Sequence, residues 1–282
     1  MWSGPASADA PGDDDGDRVI AEIDAFEPTA VEPIAGGIRI FFSSTQQQRA
    51  AYAHLAAAMP ELAVTPVLVP DEQWAERSQA AITPIRVGRI LVTPPWLRDE
   101  VTSGDARHDD IVLVVLPSMG FGTGHHQSTR LCLALLQRQR IDDLSVLDVG
   151  TGSGVLAVAA AKLGATNVLG IDVDPDAIEA AIDTVARNDA ADCVEMQVLD
   201  ITKALSEFRT SFDLLLGNLT GAMLCRVAPR LVAEVAAGGI LIVSGFDLDE
   251  RNDVVAAFAA VGAAPIDEAI EDRWVAMALR RA

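Results

Sequence analysis

From residue 145 onward the chain alternates short apolar runs with stretches of helical period. The runs are "SVLDVG", "NVLGID", "VEMQVLD", "FDLLLGN" and "GILIVSGF". Between and before them, apolar residues recur at three- and four-residue spacing. That spacing predicts helices over about 126–139, 154–163, 175–188, 221–235 and 249–260. Strands alternating with helices specify βαβ units and a mainly parallel sheet. The runs are apolar at successive positions, as expected of strands covered by helices on both faces.

The first 117 residues have a different rhythm. Val19, Ile20, Ile23 and Phe26 have helical spacing over 17–26. Two runs around Gly36-Gly37 predict a hairpin over 29–44, followed by a helix over 45–59 and a strand over 62–70. The expected organisation is a frayed tail at 1–17 and a small α+β unit at 18–70. A connector at 71–108 and a catalytic domain at 109–282 follow. Pro84, Gly88 and Pro94-Pro95 make the connector a candidate hinge, and "DIVLVVLP" (110–117) reads as a further strand.

Composition narrows the function. Half of the 282 residues are apolar, enough for a large core. The formal charge of −20 argues against a direct nucleic-acid binder, which needs a basic footprint, and permits a basic protein partner. No long uncharged apolar run predicts a membrane span, and the acidic start lacks the pattern of a signal peptide. Cys132, Cys193 and Cys225 have no metal-ligand spacing. Together these features predict a cytoplasmic protein with reduced cysteines.

The densest chemistry lies in "VLDVGTGSGVLAV" and "GIDVDP". Gly150, Gly152 and Gly154 form the turn from a strand into a helix, where glycine permits sharp bending and close approach of a ligand. A dinucleotide fingerprint needs its third glycine at position 155, which is Val155, so a nicotinamide oxidoreductase is disfavoured. Asp172 ends the next strand, where a carboxylate can accept two hydrogen bonds from a ribose diol. Asp174 with Pro175 reads as the start of the following helix. The pocket therefore suits an adenosine-type ligand with no pyrophosphate.

This arrangement resembles the class I S-adenosylmethionine-dependent methyltransferases. The resemblance implies a doubly wound, Rossmann-like α/β sheet of seven strands with the last antiparallel, a place that "EDRWVAMALRR" (271–281) fills. Asn218, in "GNLTG", stands where class I enzymes often hold an amine acceptor; otherwise it is a cap or turn residue. Upstream, "MGFGTGHHQSTR" (119–130) is a glycine-rich loop leading into a helix and can arch over a ligand as a lid. Adjacent His125 and His126 cannot share one helical face, so a polar lid or cap role is preferred to a metal site.

The whole chain resembles the methyltransferases of ribosomal large-subunit protein eleven, the PrmA type. The resemblance rests on "DEQWAERSQAAITPIRVGRILVTPPW", "FGTGHHQSTRLCLALL", "VLDVGTGSGVLAVAAAKLGA", "GIDVDPDAIEAA" and "GNLTG". It implies an enzyme that binds S-adenosyl-L-methionine and methylates lysine or other amino groups of a basic ribosomal protein recruited by the small N-terminal unit. It also implies cofactor contacts from Thr129, Gly150, Asp172 and Asn218, with Gly152 in the same turn and Phe121 bordering the cofactor or the incoming lysine. Asn218 would also orient the amine. No metal is implied. The chain departs from the family's F-G-T-G-T-H-P-T-T at His125, Gln127 and Ser128, and from N-I-L-A at Leu219, Thr220 and Gly221. Those departures touch the substrate-facing side, so two other acceptors stay open. One is a lysine of another protein, such as an electron-transfer flavoprotein subunit; the other is a small molecule. A cofactor-binding scaffold without turnover would be the non-enzymatic reading.

Overall fold

The chain divides into two units, Met1–Ala80 and Ala81–Ala282. The computed structural model describes residues 2–3, 19, 22–23, 26, 30–34, 37–42, 44–60, 62–67, 83–105, 107–117, 126–203 and 211–282.

The small unit contains β1 (Trp2–Ser3), β2 (Ala30–Ile34), β3 (Gly37–Phe41), α1 (Thr45–Ala58) and β4 (Ala63–Val64). β2 and β3 pair antiparallel, with Ile34 opposite Gly37, as the glycine pair predicts. The Ser44 hydroxyl caps α1 by accepting the Gln47 N–H at 3.2 Å. Val19 and Ile23 are buried with Ala51, Leu55 and Met59, which accounts for the helical spacing of the first two. Two expectations are corrected here. Of the strand expected over 62–70, residues 62–67 are described and form only β4, because Pro66 cannot donate to a ladder; residues 68–70 lie outside the described residues. Residues 2 and 3, expected within a frayed tail, pair antiparallel with β4.

The large unit opens with β5 (Ile85–Val87), β6 (Ile90–Thr93) and β7 (Ile111–Val114), which form a three-stranded sheet of their own. The stretch expected to be a hinged connector is thus partly built structure. Gly88 sits in the β5–β6 turn, and the Gln137 carboxamide clamps both sides of it. Its Oε1 accepts the Arg89 N–H and its Nε2 donates to the Val87 carbonyl, each at 2.9 Å. Those two bonds tie the Gly88 turn to the end of the helix over Gln127–Leu136. Residues 71–82 lie outside the described residues. The free edge of β7 is closed by a side chain: Asn188 accepts from the Val114 N–H at 2.8 Å and donates to its carbonyl at 2.7 Å.

There follow α2 (Gln127–Leu136), β8 (Ser145–Val149), α3 (Val155–Lys162), β9 (Asn167–Asp172), α4 (Pro175–Arg187) and β10 (Val194–Val198). The chain ends with β11 (Phe212–Asn218), α5 (Gly221–Glu234), β12 (Val235–Asp247), α6 (Arg251–Ala259), β13 (Ala263–Glu271) and β14 (Trp274–Arg281). These strands form one seven-stranded sheet in the order β10-β9-β8-β11-β12-β14-β13. Neighbours from β10 through β12 are parallel, and β14 runs antiparallel to both β12 and β13. The doubly wound fold, with its antiparallel last strand, is as expected.

The pleat sorts each strand between two cores. Along β8, Val146 packs on the side of α2 and α3, while Leu147 and Val149 pack on the side of α5 and α6. Along β11, Leu214 and Leu216 take the first side and Leu215 the second. That is why these strands are apolar at consecutive positions.

β13 was not expected. It is an edge strand, mostly exposed or half-exposed, and carries Pro265 at a register shift between Pro265 and Asp267. Proline belongs at such edges and bulges, where no ladder donor is needed, and it hides the strand from pattern reading. No helix among the described residues is long and apolar enough to cross a membrane.

Candidate active site

β8 and β11 are adjacent and parallel, with Val149 opposite Gly217. The chain leaves β8 toward α3 and β9, and leaves β11 toward α5 and β12 on the other side. This reversal of strand order opens a crevice at the carboxyl ends of the two strands.

The β8–α3 turn forms one wall. Gly150, Gly152 and Gly154 have φ of +69°, +53° and +79°. At Gly150 a second constraint applies: an added Cβ would lie 2.5 Å from the Leu219 side chain, which closes over the turn from the end of β11. The Gly150 and Thr151 N–H groups both donate to the Ile171 carbonyl, at 2.9 and 3.0 Å, so the turn is tied to β9. The Gly152 N–H donates to Asp172 Oδ2 at 3.0 Å, and Asp172 Oδ1 accepts the Asp174 N–H at 3.1 Å. Each oxygen retains acceptor capacity. The Asp174 side chain accepts the Asp176 N–H at 3.0 Å, capping α4 ahead of Pro175 as the sequence predicts.

Beneath the turn lies Asp148, only 1% exposed. Its Oδ2 accepts the Thr151 hydroxyl at 2.7 Å and the Ala157 N–H at 3.1 Å. Its Oδ1 is buried with no hydrogen-bond partner among the described residues. Burial pushes the carboxyl up to about 6, helped by the nearby Asp172 charge and opposed by the Thr151 and Ala157 hydrogen bonds. Burial and the Asp148 charge in turn push the Cys132 thiol up to about 12. Sequence reasoning gave Asp148 no role. The available signal was a carboxylate inside an otherwise apolar strand, "VLDV".

The second wall is built from α2 and the end of β11. Thr129, in the first turn of α2 and 1% exposed, has its Oγ1 3.2 Å from Asn218 Nδ2, which donates to it. Asn218 is the last residue of β11. Behind it, Gly245 has φ of +92° at a bulge in β12. Any Cβ there would run into the Leu219 carbonyl oxygen and come within 3.1 Å of Asn218 Oδ1. The Leu219 N–H donates to the Ser244 carbonyl at 2.9 Å, which completes the seat.

The structure thus groups Gly150, Gly152 and Asp172 at one wall and Thr129 with Asn218 at the other, with Leu219 reaching between them. Phe121 and His125, with the rest of the 118–125 loop, lie outside the described residues.

The family model for ribosomal protein L11 methyltransferase (PrmA) matches residues 13–282. The chain belongs to this family. A ribosomal protein L11 methyltransferase from Pelobacter propionicus is 38% identical over 238 residues, covering 81% of this chain and 74% of that protein. One from Chloroflexus aurantiacus is 39% identical over 233 residues, covering 75% and 70%. The crystal structure of a ribosomal protein L11 methylase from Lactobacillus delbrueckii subsp. bulgaricus superposes with a TM-score of 0.62 at 28% identity, over 71% of this chain and all of that one. The protein is a PrmA-family enzyme, a methyltransferase dependent on S-adenosylmethionine. Its crevice fits that cofactor: a buried carboxylate oxygen with no hydrogen-bond partner among the described residues suits a cationic amine, and the remaining acceptor capacity of Asp172 suits a diol.

Proposed function

We propose that this enzyme methylates amino groups, lysines above all, of the ribosomal protein L11 itself, with Thr129, Gly150, Gly152, Asp172 and Asn218 as cofactor-site residues and Phe121 at their border. The pairing of Thr129 with Asn218 at the mouth of the crevice carries this reading. It ties the helix that follows the glycine-rich loop to the strand end where the amine acceptor belongs. The relatives' shared name supports the ribosomal target, which would act in the cytoplasm. The charge of −20 supports it as well, since it draws a basic protein in. On the small unit, an apolar groove lined by Ile40, Phe42, Ala51, Tyr52, Leu55 and Val64 supports a role in recruiting that protein.

When bound, S-adenosylmethionine supplies a methyl group on an electrophilic sulfonium carbon. The chain's own task is to bind, orient and keep dry. Asp172, its position held by Gly152 and Asp174, would accept from the ribose hydroxyls. Asp148 would offer the ammonium its Oδ1, which has no partner among the described residues. Asn218 accepts from the acceptor amine, which must be neutral to carry a lone pair. A lysine's free pKa is about 10.4, and a partly apolar crevice lowers it by disfavouring the charge. Orientation of this kind supplies roughly 7–11 kcal/mol of a bimolecular barrier.

Replacing Asp172 with alanine should weaken S-adenosylhomocysteine binding by roughly 10- to 100-fold in calorimetry, the loss of charged hydrogen bonds worth about 1.5–3 kcal/mol. Unchanged affinity would remove Asp172 from the site.

The reading as a whole is tested by incubating the enzyme with radiolabelled S-adenosylmethionine and ribosomal proteins, free and assembled. A single labelled band at the size of protein L11 is expected. Label on another band from whole extract would keep the chemistry and discard the target.

A further inference from the structure

We propose that His126 is a positioning residue for the cofactor site. Its ring caps α2 and wedges against Trp274, which sets the Thr129 hydroxyl where the Asn218 amide finds it. The proposal rests on the reading of Thr129 and Asn218 given above.

The first turn of a helix leaves its N–H groups without partners inside the helix and frays unless something holds it. Thr129 sits in that turn, so its hydroxyl is only as well placed as the turn itself. His126 is the capping residue, with extended backbone at φ −74° and ψ 140°. Its Nδ1 accepts the Ser128 N–H at 3.3 Å and lies 2.7 Å from the Ser128 hydroxyl. Histidine is not among the favoured capping residues, which are serine, threonine, asparagine and aspartate. A small cap would satisfy the N–H and nothing more. The imidazole also meets the Trp274 ring edge-on, with centroids 4.4 Å apart and planes at 76°, an arrangement worth more than its contact area.

Trp274 is the first residue of β14, and the end of the β13–β14 hairpin that it belongs to grips α2 at two further points. Arg130 Nε donates to both carboxylate oxygens of Glu271 at 3.1 Å. Gln127 Nε2 reaches Asp272 at 3.5 Å. Three side chains within five residues thus fasten the first turn of α2 to one hairpin. The cap needs a neutral ring, because a protonated Nδ1 would face the Ser128 N–H as a second donor. It would also place a positive charge at the positive end of the helix. Burial first, and then the Arg130 charge, hold the His126 ring below the ordinary histidine range, which favours that neutral form.

The test is a double-mutant cycle on the full chain, read by calorimetry of S-adenosylhomocysteine binding at pH 7.5. His126→Ala should weaken binding about fivefold, the magnitude of a lost cap. His126→Asn, a good cap without the ring, should recover part of that loss. Thr129→Val should weaken binding about tenfold, through a lost buried hydrogen bond. The two losses should not multiply: His126→Ala in the Thr129→Val background should cost less than twofold more. Trp274→Leu, which leaves the cap in place, should repeat the non-additivity if His126→Ala folds poorly. Additive losses, or wild-type affinity in both His126→Ala and Trp274→Leu, would overturn the proposal alone. Full affinity in Thr129→Val would overturn the site reading and this proposal with it.

Discussion

Asn218→Ala is expected to lower kcat by roughly 10²- to 10³-fold at saturating cofactor and protein substrate, the usual cost of removing one preorganised polar group at a reacting centre. Asn218 ends β11 at the crevice, its amide nitrogen is committed to Thr129, and its oxygen side is backed by Gly245. With its nitrogen committed in this way, the carboxamide has one orientation to offer an incoming amine. Alanine removes the acceptor and also leaves the buried Thr129 hydroxyl without its donor. Affinity for S-adenosylhomocysteine should fall much less than kcat, so the two measurements together separate positioning of the amine from binding of the cofactor. Normal turnover in Asn218→Ala would sink the assignment.

Asp148→Asn is expected to weaken S-adenosylhomocysteine binding by roughly 10²- to 10³-fold, because breaking a buried charge pair costs about 3–5 kcal/mol. The same change should stabilise the free protein. The Asp148 carboxyl stands at about 6, raised from the ordinary 3.8. A group raised on folding favours the folded state while it is protonated and loses that contribution as pH climbs through the folded value. Between those two values the ionised, half-paired Asp148 comes to cost the free protein about 3 kcal/mol, in full above pH 6. Thermal melts should therefore show Asp148→Asn above wild type at pH 7.5, with the difference shrinking by pH 4.5. Wild-type affinity for S-adenosylhomocysteine should drop as pH falls through about 6, by up to about tenfold per unit. Affinity that stays flat from pH 7.5 to 5 would show that the unpaired oxygen meets no cation.

Much of the geometry of this candidate site was legible in the sequence because its requirements are local. The glycine turn needs positive φ at Gly150, Gly152 and Gly154, and only glycine supplies that cheaply. Asp172 and Asn218 follow apolar runs whose ends can be read from composition, and Asp174-Pro175 marks a helix start by its own chemistry. What could not be read depends on partners distant along the chain. Gln137 clamps a turn about fifty residues upstream, and Asn188 closes a strand edge 74 residues away. The three-stranded sheet needs the parallel pairing of β6 with β7, which no local pattern announces. β13 has the weak, polar pattern of an exposed edge. Gly245 looks like any glycine in a strand until the Leu219 carbonyl is seen beside it.

The strand order also bears on how the site comes into being. β8 and β11 are neighbours in the sheet, yet Ser145 and Asp213, which hydrogen-bond across their starts, are 68 residues apart in sequence. Closing a loop of that size costs entropy before any contact repays it, so pairing of this kind is slow relative to local helix formation. The wall with Gly150 and Asp172 can form within one local βαβ segment. The wall with Asn218 joins it only after that long closure, and Gly245 and Trp274 later in the chain must then dock behind it. During synthesis, a nascent chain that has emerged only as far as β10 carries the glycine turn but not the wall with Asn218. The crevice is therefore among the last features of the large unit to be completed, and a ligand that spans its two walls binds only the finished fold.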